Sequence, residues 1–223
     1  MTGTLRRVRM YLSSFRVGNR PDELLRLSGT ARPRTALIHN ADDYKSEVDR
    51  ATSLRRELHE LDDVGLDPFE VDLRHYFGAE RELRAVLGEV DVLYVRGGNV
   101  FVLRRAFRHS GAERVVPELL CRDALVYAGY SAGPSVLGPT LRGVEGHVDD
   151  PSCVPAEYPE EPPIFGGLGV LPYAIAPHFE SDHPESAEID RSIRYFITRH
   201  IPFIALRDGE AIVVEGDRRT VVG

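Results

Sequence analysis

Tryptophan is absent from the 223-residue sequence, and cysteine occurs only as Cys121 and Cys153. Two cysteines cannot build a disulfide framework, and their flanks match no zinc or redox spacing, so both read as unpaired thiols. No apolar run approaches the ~20 residues of a membrane span. Residues 1–19 carry Arg6, Arg7 and Arg9, but then only a short mixed stretch where a secretion signal needs a longer apolar run, so the expected location is the cytoplasm. An excess of positive charge is also missing. Lys and Arg total 28 against 35 Asp and Glu, a net charge of -7 with no basic cluster, which argues against a nucleic-acid partner. Internal repeats and low-complexity tracts are lacking as well. With 42% hydrophobic and 28% charged residues, the chain reads as one globular α/β domain over residues 1–223, able to bury a substantial core without staples and suited to a small-molecule substrate.

Short apolar runs alternate with longer amphipathic stretches, the pattern of a mostly parallel sheet wound with helices on both faces. Strands are expected at 7–15, 35–39, 70–73, 90–95, 124–128 and 203–206, and ordered structure resumes at 168–176. Helices are expected at 21–27, from an Asp42-Asp43 N-cap to about Leu61, and at 79–87, 100–109, 112–122 and 185–200. Leu54, Leu58 and Leu61 fall on one face of the second of these. A closing hairpin spans 211–222, with its turn at Glu215-Gly216-Asp217. Residues 138–167 are rich in Pro, Gly and acidic side chains, and read as a loop or hairpin inserted over the active-site end of the sheet.

The chemistry concentrates at Gly129-Tyr130-Ser131-Ala132-Gly133, directly after a predicted strand. A strand-to-helix reversal needs small residues beside the serine, and it lifts the hydroxyl off the sheet edge as a nucleophile. Such a turn also sets the Ala132 amide at a helix start, where it can stabilise an oxyanion. Gly97-Gly98-Asn99 likewise follows a strand and opens a helix, and Gly98 is the candidate second donor. It carries neither the dinucleotide glycine fingerprint nor a Gly-Lys-Ser/Thr, so phosphate binding is the weaker reading. A serine hydroxyl needs a base, because it is scarcely ionised near neutral pH. His178, at the end of an apolar run, and His39, at the end of another, both satisfy that requirement from sequence. The carboxylate that orients the base is Asp208 or Glu145. A metal-assisted alternative would draw on His147, Asp149, Asp150 and Cys153, but that loop lacks the two-ligands-on-a-helix spacing of zinc sites, so no metal or cofactor is expected.

Together, His39-Asn40-Ala41 with Asp43-Tyr44, Asp72-Leu73-Arg74-His75-Tyr76-Phe77, the run Tyr-Val-Arg-Gly-Gly-Asn-Val-Phe-Val-Leu over 94–103, Tyr127 to Gly133, and Gly-Leu-Gly-Val-Leu-Pro-Tyr-Ala-Ile-Ala-Pro-His-Phe over 167–179 resemble the peptidase E family of α-aspartyl dipeptidases, related to cyanophycinase. The resemblance implies a doubly wound, flavodoxin-like sheet similar to class I glutamine amidotransferases. It also implies Ser131 as nucleophile, His178 as base and an acid near the carboxyl-terminal strand, which falls on Asp208. The position matching another acid assigned in the family is Gly146, beside Glu145. After the histidine the family carries Glu-Thr-Arg, whose arginine meets the substrate aspartate, but this chain has Asp182 to Glu188 with no arginine before Arg191. Arg191 or Arg194 is then the expected replacement, with Asn99 and Glu145 as further substrate contacts, and the acidic, proline-rich residues 151–163 are expected to reshape the pocket mouth.

The resulting expectation is a serine exopeptidase cleaving dipeptides or short peptides, with N-terminal Asp preferred, through an acyl-enzyme on Ser131, acting as a monomer or homodimer without nucleic-acid or membrane partners. Two alternatives are a cyanophycinase-like β-aspartyl peptidase and a non-catalytic small-ligand binding module.

Overall fold

The computed structural model describes residues 8–223, so Arg6, Arg7 and the rest of residues 1–7 in the amino-terminal signal reading lie outside the described residues. Five strands run parallel: β1 (Arg9–Ser13), β2 (Arg34–Ile38), β3 (Asp67–Glu70), β4 (Val92–Val95) and β5 (Val126–Tyr130). A second pair of strands, β6 (Ala174–Ala176) and β7 (Phe203–Ala205), forms its own parallel sheet. The terminal hairpin, β8 (Ala211–Glu215) and β9 (Arg218–Val222), adds antiparallel to β1, so the main sheet has the order β3-β2-β4-β5-β1-β8-β9.

Strand alternation decides the layers. In β5, Val126 and Ala128 face α1 (Pro21–Ser28) and α2 (Glu47–Asp63), meeting Leu24, Leu27 and Leu61. The intervening Tyr127 faces the opposite cluster, built on α3 (Glu80–Leu87), α4 (Val100–Ser110) and α5 (Ala112–Cys121) through Leu83, Phe107 and Val115. Both faces of the central strands are covered, which is why β4 is apolar and buried at every position. No helix among the described residues is long and apolar enough to cross a membrane.

From β2 the chain moves outward to β3, whereas from β4 it moves the other way to β5. The loops after β2 and β4 therefore diverge and leave a crevice at the carboxyl ends of the strands. Three expectations shift. The helix expected from Asp42-Asp43 begins at Glu47, capped by Ser46, whose Oγ accepts from the Asp49 amide at 3.1 Å. Asp42 and Asp43 are instead drawn into buried ion pairs with Arg96 (2.6 Å) and Arg50 (2.6 Å). The third strand ends at Glu70, because Asp72 accepts from the Arg74 amide and starts a 3-10 turn over Leu73–Tyr76. Of residues 168–176, only Ala174–Ala176 are strand, and they pair with β7 outside the main sheet.

Residues 138–167 form no named helix or strand, only the isolated bridges Thr140 to Gly166 and Glu145 to Asp149. They are tied to α4 and to the loop after β2. Arg105 donates to the Glu161 carbonyl at 2.8 Å, the Val100 amide donates to Asp149 at 2.9 Å, and the Tyr158 hydroxyl donates to Asp43 at 2.7 Å.

Candidate active site

Ser131 joins β5 to the short helix α6 (Ala132–Ser135) at φ 52° and ψ -108°, a combination that an L-residue adopts only under strain. The two glycines around it make the reversal possible by letting both limbs close on β4. A Cβ on Gly129 would stand 2.1 Å from the Val95 carbonyl oxygen, and one on Gly133 would stand 2.2 Å from the same oxygen. Gly97 is equally constrained, since a Cβ there would meet the Ser131 Cβ at 2.9 Å. Gly133→Ala therefore introduces a purely steric clash against backbone. It is expected to lower the unfolding free energy by about 3 kcal/mol, read from the urea midpoint, and an unchanged midpoint would show that the elbow can shift aside.

Beneath the elbow, the Tyr130 hydroxyl donates to Glu57 (3.0 Å), and Arg96 pairs with both Glu57 (3.2 Å) and Asp42 (2.6 Å). This buried network ties β5, α2 and the loops after β2 and β4 together behind the serine. Nothing in the sequence spacing marks it, because its members lie on separate elements.

His178 follows β6 and is 1% exposed. Its Nδ1 lies 2.7 Å from Asp208 Oδ1, so Nδ1 carries the proton and Nε2 is left as the acceptor. Ser14 fixes the pair: its Oγ accepts from the His178 amide at 2.8 Å and donates to Asp208 Oδ1 at 2.8 Å. The Asp208 amide in turn donates to Ser181 Oγ at 2.8 Å. Burial pushes the His178 pKa below its ordinary value, while the bond to Asp208 works against that fall. The ring is neutral near pH 7, as a base must be. Ser14 was not singled out from sequence, and the only available signal was a polar pair, Ser13-Ser14, ending an otherwise apolar strand.

The other candidates are placed as follows. His39 is fully buried, its pKa driven down to about 3 chiefly by burial, and it does not line the cleft that holds Ser131 and His178. The Glu145 carboxylate accepts from the Gly143 amide and has no contact with His178. Asn99 caps α4, accepting from the Phe101 and Val102 amides at 2.9 and 3.1 Å, and its Nδ2 donates to the Asp150 carbonyl. Arg191 is exposed on α7 (Ser186–Thr198), and neither it nor Arg194 lines the cleft. Gly98 does line it, at φ 138° and held against the Ala41 carbonyl. Ala132 is the first residue of α6, and neither its amide nor that of Gly98 has a backbone acceptor among the described residues.

The loop residues considered for a metal are dispersed over other tasks: His147 sits between the Glu145 carbonyl and Ser192, and Asp150 accepts from Ser152. Among the described residues, the group whose ligand atoms fall within 4.8 Å of one another is His178, His183 and Glu185. Its two imidazoles are stacked at 3.7 Å with 7° between their planes, so an ion in the plane of one ring would lie out of the plane of the other. That stacking is a poor fit to a chelate.

The cleft has a volume of about 220 Å³, and four cations line it: Arg16, Lys45, Arg56 and Arg96. Two carboxylates, Asp42 and Glu185, line it with them. Lys45 is the single lysine of the sequence and lies 2.9 Å from Asp42, whose other oxygen is already paired with Arg96.

An open, mostly parallel sheet with a strained serine turn at the carboxyl ends of its strands, and a histidine–carboxylate pair beside it, defines the class of α/β fold. The chain belongs to peptidase family S51, whose model matches residues 18–222. It is 33% identical over 144 residues to Peptidase E of Streptomyces coelicolor, an alignment covering 62% of this chain and 55% of the relative. It is 30% identical over 142 residues to the "Probable alpha-aspartyl dipeptidase" of Drosophila melanogaster, covering 61% of this chain and 55% of that one. The matched region thus spans about half the length of these relatives. A solved structure of a peptidase from an acI-B1 Actinobacterium superposes with a TM-score of 0.72 at 16% identity, over 100% of this chain and 91% of that one, and shares the fold.

Proposed function

We propose that the chain is a serine exopeptidase that hydrolyses dipeptides or short peptides, with an acidic amino-terminal residue preferred. The observation that carries this reading is that Ser131 and His178 line one cleft, with His178 Nδ1 bonded to Asp208 and its Nε2 4.0 Å from Glu185, another residue of the same cleft. His178 takes the Ser131 proton as the oxygen attacks the peptide carbonyl, and the amides of Gly98 and Ala132 hold the oxyanion. His178 then protonates the leaving amine, and water, activated by the same ring, releases the acyl group. No step calls for a metal.

The acidic preference is supported by the lining of the cleft. With Arg191 and Arg194 elsewhere, and Arg96 locked between Asp42 and Glu57, the remaining cations of the cleft are Lys45, paired with Asp42, and Arg16 and Arg56, which share Glu60; a substrate carboxylate would draw on these two arginines, and arginine pairs such a group in bidentate fashion. The name of the Drosophila melanogaster relative points the same way. The proposed setting is a reducing cytoplasm, in keeping with two free cysteines, and the net charge of -7 disfavours nucleic acid. The test is amino-acid release from Asp-Leu, Glu-Leu, Ala-Leu, Lys-Leu and β-Asp-Leu, alongside labelling by a fluorophosphonate. Asp-Leu and Glu-Leu should turn over fastest and the label should map to Ser131. Cleavage of β-Asp-Leu alone would move the assignment to isopeptides, and absence of both turnover and label would leave only a binding role.

A further inference from the structure

Near neutral pH, an exopeptidase that cleaves after the amino-terminal residue meets a free α-ammonium one carbon from the carbonyl under attack. An anchor for it therefore has to lie within a few ångströms of the nucleophile and base. We propose that Glu185 is that anchor, the carboxylate that binds the substrate's α-ammonium and so restricts the site to free amino termini; this rests on the peptidase reading above.

Three observations carry it. The first is position: Glu185 Oε2 lies 4.0 Å from His178 Nε2, the ring nitrogen left for Ser131, and Glu185 lines the same cleft as both. The second is that its charge is unspent. The other carboxylate of the cleft, Asp42, is paired with Arg96 and Lys45, whereas no Lys or Arg among the described residues lies within ion-pair distance of Glu185. An anion left without a cation in a cleft lined by four of them is placed to receive one from solution.

The third is rigidity at the root of the side chain. The Glu185 amide donates to His183 Nδ1 at 3.2 Å, and His183 is stacked on His178, so the base and the carboxylate are held as one unit. Partial burial raises the Glu185 pKa above its ordinary value, in the direction expected of a carboxylate awaiting its counter-ion.

A competing role is available on the same geometry: Glu185 could act on His178 alone, stabilising its protonated form. The experiment separates the two by removing the ammonium instead of the base. Binding of Asp-Leu and of its des-amino counterpart, succinyl-leucine, is measured calorimetrically on full-length Ser131→Ala, with Ala-Leu and propionyl-leucine as a second pair free of side-chain charge. The free-amine member of each pair should bind at least ~10-fold more tightly, the range of a charge-assisted contact. Adding Glu185→Gln should reduce each ratio to about 2-fold by weakening only the free-amine ligand, and Glu185→Asp should restore part of it.

Ratios that survive Glu185→Gln, equal weakening of both members, or no binding of either would overturn the assignment. Turnover by otherwise wild-type protein keeps the two claims apart. Selective binding without hydrolysis would sink the peptidase reading and leave the ammonium anchor standing, whereas hydrolysis with unaltered ratios would do the reverse.

Discussion

Ser131→Gly is expected to abolish peptide hydrolysis and at the same time to stabilise the fold. The loss of activity follows from the nucleophile role proposed for Ser131: removal of the serine from such a centre costs a factor on the order of 10⁴ to 10⁶ in kcat. The gain in stability follows from the backbone. At φ 52° and ψ -108°, an L-residue is held outside its allowed regions at a cost of order 1 to 3 kcal/mol, and glycine tolerates that angle pair far better. Ser131→Ala keeps the Cβ and therefore keeps the strain. It should lose the same activity while unfolding at nearly the wild-type urea concentration, so the difference between the alanine and glycine variants isolates the strain energy. An alanine variant that still hydrolyses dipeptides would remove Ser131 from the mechanism. A glycine variant no more stable than alanine would show that the turn is relaxed.

The legible part of the sequence was whatever local pattern dictates. The Ser131 turn could be located because a strand followed by Gly-x-Ser-x-Gly has few other uses, and the helices of both layers followed from apolar spacing such as Leu54, Leu58 and Leu61. His178 and Asp208 each follow a predicted strand, but their pairing depends on the separate two-stranded sheet of β6 and β7, which sequence periodicity does not reveal. The cations that line the cleft were not legible for the same kind of reason. Arg191 was favoured for its nearness in sequence to the family's arginine, yet the helix that carries it turns it to solvent, while Lys45 arrives from the loop after β2. Asp42 and Asp43 had the composition of a helix cap and were taken instead by Arg96 and Arg50, long-range partners that no local rule could supply.

Asp208→Asn is expected to reduce kcat/KM by a factor of about 10⁴ with little change in fold, the size of effect seen when the orienting carboxylate of a serine–histidine pair is neutralised. Asp208 Oδ1 receives both the His178 ring proton and the Ser14 hydroxyl, so an amide oxygen can occupy the same place but brings no charge to stabilise the imidazolium. The pH profile identifies the cause. Burial lowers the His178 pKa and Asp208 raises it, so the wild-type acid limb of kcat/KM should lie below the ordinary histidine value of about 6.5, and in Asp208→Asn it should move lower still. A variant that loses activity with an acid limb at the wild-type position would be losing geometry and not charge. Glu145→Gln supplies the control, because its carboxylate is occupied by the Gly143 amide and should leave both rate and limb unmoved. If Glu145→Gln instead proves as damaging as Asp208→Asn, the acid partner of His178 changes on substrate binding, and residues 138–167 must move far enough to bring Glu145 to the ring.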